Sequence, residues 1–168
     1  VLPNAQFDAN APLSENVCSE KVPEGETDWY PPVMIGANAV GTEIARNCKK
    51  YLEDAIKLIE RLEPDGYIQF LQKYYSDGLV RFGFSLFYLD IVTAILGISE
   101  ILKPNSYLEI GVRRGRSVCA LASKRPAAKI AMFDMWVENY AGMDNPGPDH
   151  VNKELDKIGH TGERLFVN

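Results

Sequence analysis

Between residues 39 and 62 apolar side chains recur at spacings of three and four: Ile44, Cys48, Tyr51, Leu52, Ala55, Leu58, Ile59 and Leu62. Lys49, Lys50, Glu53, Asp54, Lys57 and Glu60 take the other side, so the pattern predicts an amphipathic helix, ended by Pro64-Asp65-Gly66. A shorter helix is expected over 68–75, with Ser76-Asp77-Gly78 as the next turn. Residues 85–103 are almost continuously apolar. Asp90 and Glu100 interrupt them and the run is short for a bilayer, which favours a buried helix beside a sheet. Asp90 is expected at the wet edge of that helix.

Pro104-Asn105 breaks the run, and 107–112 reads as a short buried strand. A helix follows over 116–124, with Val118, Leu121 and Ala122 inward and Pro126 as its stop. Residues 129–134 form a second strand. A Gly/Pro-rich loop over 136–148 leads to a helix capped by Asp149 and running to about Ile158, with Gly159 behind it. A third strand covers 164–167. Strand, helix and strand at this spacing imply a right-handed parallel βαβ unit. The fold class expected is therefore α/β, a Rossmann-like parallel sheet preceded by N-terminal helices.

Three regions follow from the same pattern. Residues 1–36, with Pro3, Pro12, Pro23, Pro31 and Pro32, read as an extended arm pinned by Trp29 and Tyr30. Residues 37–104 are a helical region packing on the sheet, and 105–168 carry the sheet itself. The strand-like Leu165-Phe-Val-Asn168 end and the absence of an initiating Met suggest a piece of a longer protein, with its sheet poorly buried on one side.

Composition narrows the class. The chain has 168 residues, 46% hydrophobic and 24% charged, which suits a soluble domain with a sizeable core. A net charge of −5 argues against broad nucleic-acid binding. Cys18, Cys48 and Cys119 are widely spaced and form no Cys/His cluster, which points to reduced thiols and a cytoplasmic protein. No membrane partner is expected.

The candidate chemistry lies in Glu109-x-Gly111-x-x-x-Gly115, an acid and a glycine turn between a strand and a helix. Helix-start amides can face a ligand there, and glycine lets it approach the backbone. Asp134 closes the second strand at the same edge of the sheet, where its two oxygens could accept both ribose hydroxyls. Met135 and Trp136 follow and could flank a flat base. A dinucleotide usually needs a glycine two positions after Gly111, for its pyrophosphate, and Arg113 stands there. S-adenosylmethionine (SAM) has no pyrophosphate, so the spacing favours it over NAD. A tight turn with no ligand is the plain alternative.

Tyr107-Leu-Glu-Ile-Gly-Val-Arg-Arg-Gly-Arg-Ser117 resembles motif I of class I SAM-dependent methyltransferases. It is most similar to the branch containing catechol O-methyltransferase-like and cephalosporin-hydroxylase-like proteins. Met132-Phe-Asp-Met-Trp136 resembles the acidic end of that family's second strand, and the resemblance covers about 84–168. It implies the first three strands of that fold and methyl transfer from SAM to a small molecule, with oxygen as the expected acceptor atom. It further implies that Glu109 lies near the methionine end and that Gly111, Val112, Arg113 and Gly115 form the cofactor turn. Ser117 would bond at the helix start, Asp134 would hold the ribose, and Met135 and Trp136 would contact adenine. Catalytic groups, or carboxylates for a divalent metal, are implied to lie beyond this chain. None of its residues is assigned to a metal.

The Arg113-Arg114-Arg116 cluster departs from the family pattern. It reads first as solvated surface and second as a site for an anionic substrate. His150 and His160 read as surface or capping residues rather than bases. Tyr140 and Asp144 are placed at a substrate entrance by position alone. A homo-oligomer is compatible with these readings. The alternatives are a non-catalytic Rossmann-like binding domain and an NAD-dependent oxidoreductase.

Overall fold

The computed structural model describes residues 32–83, 88–137 and 147–168, with side chains from Ala39 onward. The expectations placed on Cys18, Trp29, Tyr30, Tyr140 and Asp144 lie outside these residues, as does most of the arm. The chain divides into two compact units, Val1–Glu43 and Ile44–Asn168. Within the described part of the first, the backbone is helical from Pro32, where an extended arm was expected to 36. Proline suits this first position, because the N–H it lacks has no helical partner there.

The single helix expected over 39–62 is two: α1, Pro32–Arg46, and α2, Cys48–Ile59. Asn47 separates them with φ −106° and ψ 17°. The apolar series from Ile44 to Leu62 is buried as its spacing predicts. Helix α3, Gly66–Phe82, is longer than expected and runs straight through Gly78. Asp65 starts it by accepting the Ile68 N–H at 2.7 Å. Ile68, Leu71 and Tyr75 bury one stripe, and Lys73 bonds Asp77 at 2.8 Å one turn on. Gly83, at φ 52°, ends the helix instead.

Helix α4, Ile91–Leu102, begins six residues later than 85. Asp90 is its N-cap rather than a residue along its wet edge. Its Oδ1 accepts the Thr93 N–H at 2.9 Å, while the Thr93 hydroxyl accepts the Asp90 N–H at 2.7 Å. Among the described residues no helix is long and apolar enough to cross a membrane.

Strands β1 (Ser106–Ile110), β2 (Lys129–Phe133) and β3 (Arg164–Val167) form a parallel sheet in that order. Helix α5, Arg116–Lys124, links the first pair and α6, Pro148–Lys157, the second. The result is an α/β fold compatible with a Rossmann-like arrangement. Asp149 lies in the first turn of α6 instead of capping it. Gly147 is the N-cap and Pro148 the first residue. Glu109 pairs with Met132 and Met132 with Phe166, so these share one face of the sheet. On that face Ile130 and Met132 are fully buried and Glu109 reaches α5. On the other, Leu108, Ile110 and Leu165 are 57%, 80% and 53% exposed. β1 is thus not the buried strand its apolar run suggested: alternate side chains stay open, because among the described residues helices cover one face only.

Candidate functional site

The turn between β1 and α5 has three residues at positive φ: Gly111 (82°), Arg113 (52°) and Gly115 (74°). Gly111 extends the ladder by donating its N–H to the Phe133 carbonyl at 2.8 Å. The Gly115 N–H closes the turn onto the Val112 carbonyl, also at 2.8 Å. Glycine is required at 115 twice over. The backbone is left-handed, and a Cβ there would lie 2.8 Å from Val151 Cγ1. At Gly111 a Cβ would meet none of the described residues within 4 Å.

Asp134 locks the turn from the neighbouring strand. Its Oδ2 accepts the Arg113 N–H at 2.9 Å and its Oδ1 the Trp136 N–H at 3.2 Å. A left-handed, non-glycine Arg113 is costly in isolation, and this carboxylate is what holds it. The α5 N-terminus has no side-chain cap, so its first-turn N–H groups are left to other partners.

Glu109 lies beneath the turn. Its Oε1 accepts the Ser117 hydroxyl and its Oε2 the Tyr107 hydroxyl, the latter at 2.8 Å. Burial pushes its carboxyl above the usual range, against the pull of both hydroxyls. Burial and the adjacent Glu109 push the Tyr107 phenol up as well.

Beside the turn is a cavity of about 460 Å³. Gly111, Val112, Arg113 and Ser117 line it from the turn, Asp90 and Ile91 from the start of α4, and Asp65 and Tyr67 from the start of α3. Of the residues singled out in the sequence, Glu109, Gly115, Asp134, Met135 and Trp136 are not on its wall. Met135 is 55% exposed. Trp136 is tied to β3: its Nε1–H donates to the Val167 carbonyl at 2.9 Å and its ring lies 5.6 Å from Phe166.

The arginines are not solvated as a group. The Arg114 and Arg116 side chains are 10% and 18% exposed, and both line the cavity. Asp65 pairs with the two together, with Arg114 Nε at 2.7 Å. Burial raises the Asp65 pKa, but the Ile68 N–H and both guanidiniums outweigh it and hold the carboxyl below its ordinary range. The Arg116 guanidinium also stands 4.7 Å from the Tyr67 ring centroid.

Asp65, Tyr67 and Asp90 were not assigned to a site from sequence. Asp65 precedes a helix, and Asp90 stands three residues before Thr93, so each carried only a capping signal. In the fold the Asp90 Oδ2 also accepts the buried Tyr75 hydroxyl, whose pKa is raised chiefly by burial and then by Asp90.

His160 is a structural residue. It is buried, with Nε2 2.9 Å from the Ala128 carbonyl and Nδ1 accepting Arg164 Nε at 3.0 Å. His150 joins Glu63 and Glu154, whose ligand-type atoms all lie within 4.8 Å of one another. Protein groups already occupy these carboxylates. Glu154 accepts the Glu63 N–H at 2.9 Å and pairs with Lys157, and Glu63 lies 3.7 Å from Arg114. The group is a charge network that ties α6 to the α2–α3 connection. The described cysteines, Cys48 and Cys119, are free and buried, and burial pushes the Cys119 thiol up, away from reactivity.

Comparison with known proteins finds no match among family models, curated proteins or solved structures.

Proposed function

We propose that this chain carries the SAM-binding part of a methyltransferase acting on a small molecule, with oxygen as the methyl acceptor. One observation carries the reading. The Glu109–Ser117 turn, locked by Asp134 from the adjacent parallel strand, opens onto a cavity large enough for a nucleoside-sized ligand. The residues present fit such a group. A Cβ at Gly111 would meet none of the described residues, the N-cap of α5 offers no side-chain acceptor, and a carboxylate such as Asp134 has more acceptor sites than its two N–H bonds use. Arg113 weakens the dinucleotide alternative, because its side chain stands where a pyrophosphate needs close backbone approach.

SAM would supply the electrophilic methyl group. The chain's own residues bind and orient. Gly111 to Arg113 would form the floor under the cofactor, while Asp134 would accept from the ribose and Met135 and Trp136 would border the base from outside the cavity wall, beside the turn. Glu109 acts beneath the floor by fixing Ser117 and Tyr107, and no catalytic base is assigned within the described residues. The same reading places the protein in the cytoplasm with a small-molecule partner.

A second reading is a Rossmann-like domain that keeps the turn without the chemistry. It is favoured by the engagement of both Asp134 oxygens and of the Trp136 indole within the protein.

Calorimetric titration with SAM, S-adenosylhomocysteine and NAD tests the proposal. Saturable heat with the first two is expected. NAD binding without SAM binding would reverse it, and SAM binding without methyl transfer to any tested acceptor would favour the second reading.

A further inference from the structure

We infer that Tyr67, Phe70 and Tyr74 form an apolar track leading out of the cavity along α3, and that the methyl acceptor of the proposed reaction is amphipathic, with a polar head in the cavity and an apolar tail on this track. As a statement about the acceptor it rests on the methyltransferase reading; as a statement about the surface it does not.

Helix α3 is apolar on two faces. Ile68, Leu71 and Tyr75 are buried against the core. Tyr67, Phe70 and Tyr74, at spacings of three and four, share a second face and are 53%, 58% and 45% exposed. A surface helix ordinarily carries polar side chains there. The three rings make a ladder, with successive centroids 6.3 and 5.9 Å apart and successive planes turned by only 26°. At a rise of about 1.5 Å per residue, the ladder runs about 10 Å along the helix. Arg81 takes the next position on that face, so the apolar strip ends there. A contiguous exposed strip of this kind marks a surface that binds something.

Continuity with the cavity selects a ligand. Tyr67 is both the first ring of the ladder and part of the cavity wall, where the Arg116 guanidinium lies against it. Ile91, also exposed, lines the same cavity. The far end of the ladder is anchored to that wall as well. The Tyr74 ring lies 5.0 Å from Tyr88, Tyr88 lies 5.8 Å from Tyr75, and the Tyr75 hydroxyl donates to Asp90 on the wall. The track is thus positioned before any ligand arrives, which limits the ordering cost of binding. Asp90, Ser117 and the paired Asp65 make the cavity itself polar. A ligand that spans both has a polar head and an apolar tail, whereas a wholly polar one leaves three rings in water.

The test titrates two sets of hydroxyl compounds into the full chain saturated with S-adenosylhomocysteine: n-butanol, n-hexanol and n-octanol, and phenol against naphthol. Each methylene half-buried on the ladder is expected to tighten binding about twofold, so octanol should bind at least about tenfold more tightly than butanol, or naphthol than phenol. The steeper set identifies the tail as alkyl or aryl. Phe70→Gln and Tyr74→Gln, both off the cavity wall, are expected to cut that gain to less than about threefold and to change S-adenosylhomocysteine binding by less than about twofold. Thermal unfolding of each variant comes first. Tyr74 packs on Tyr75 and Tyr88, so a misfolded Tyr74→Gln leaves Phe70→Gln to decide. No gain with tail size in the wild type, or an equal gain in the folded variants, overturns the track. A wild-type dimer that Phe70→Gln dissociates in sedimentation also overturns it, since a second copy would then cover the ladder. Displacement of S-adenosylhomocysteine by the tailed compounds overturns it as an acceptor surface. A Phe70-dependent gain in a chain that takes no S-adenosylhomocysteine supports the track and removes the methyltransferase reading.

Discussion

Asp134 and Arg113 are 21 positions apart and joined by one hydrogen bond, the Arg113 N–H donating to Asp134 Oδ2 at 2.9 Å. The bond links the end of β2 to the turn after β1, and it stabilises a left-handed arginine at φ 52°. Arg113→Gly removes the backbone strain and keeps the N–H donor. Urea denaturation should show a gain of about 1 kcal/mol. Equal or lower stability would mean that Asp134 fully offsets the strain, or that the arginine side chain contributes packing.

Val151 leaves no room for a side chain at Gly115. Gly115→Ala adds a Cβ 2.8 Å from Val151 Cγ1 at φ 74°, and should cost more than about 2 kcal/mol. Val151→Ala makes room but leaves the φ penalty. The double variant should therefore be more stable than the sum of the single losses by at least about 1 kcal/mol. Additive losses in a denaturation cycle would mean that backbone conformation alone requires the glycine.

Asp65 joins a helix cap to two buried guanidiniums. Asp65→Ala removes both roles and should destabilise the fold by about 3 kcal/mol at neutral pH. Because the folded-state pKa of Asp65 is held below its unfolded value, this stability is present above about pH 4 and is lost as pH falls through the folded pKa. The wild type should lose stability over that acid range more steeply than Asp65→Asn. Parallel acid profiles would show that the arginines do not depress the Asp65 pKa.

Much of the fold is legible in the chain because the signals are local. The spacing from Ile44 to Leu62 sets a buried helical stripe whether the helix is one piece or two. Gly78 and Gly83 show the limit. Gly78 was expected in the turn that ends the helix, yet Gly83 is the one with a positive φ, because the stripe of Ile68, Leu71 and Tyr75 and the Lys73–Asp77 pair carry α3 past Gly78. Burial of Arg114 and Arg116 was hidden because its cause, Asp65, lies about fifty residues upstream. The exposure of Leu108 and Ile110 was hidden too, since an apolar strand does not record which face its helices cover. Glu109, Gly111 and Asp134 could be picked out because a strand-end acid and a glycine turn are sequence-local. Only the structure shows that Glu109 lies under the turn and off the cavity wall.

His160 ties stability to pH. Burial holds its pKa below the ordinary 6.5, only partly offset by the Ala128 carbonyl, so the unfolded chain takes up the proton first. Stability should therefore fall as pH drops from about 7.5 to about 5.5. His150, whose pKa is also lowered chiefly by burial, acts in the same direction. In His160→Gln the fall should be smaller, though the variant starts from a lower stability. Denaturation midpoints across this range measure it, and an unchanged slope in the variant would assign the whole effect to His150.

The most direct measurement titrates S-adenosylhomocysteine into the wild type and into Asp134→Asn. The variant keeps an oxygen for the Arg113 N–H but loses the acceptor pair offered to a ribose. A SAM site at this turn predicts saturable binding by the wild type, with a dissociation constant between about 1 μM and 1 mM, and at least about tenfold weaker binding by the folded variant. No binding by the wild type, or equal binding by both, would contradict it.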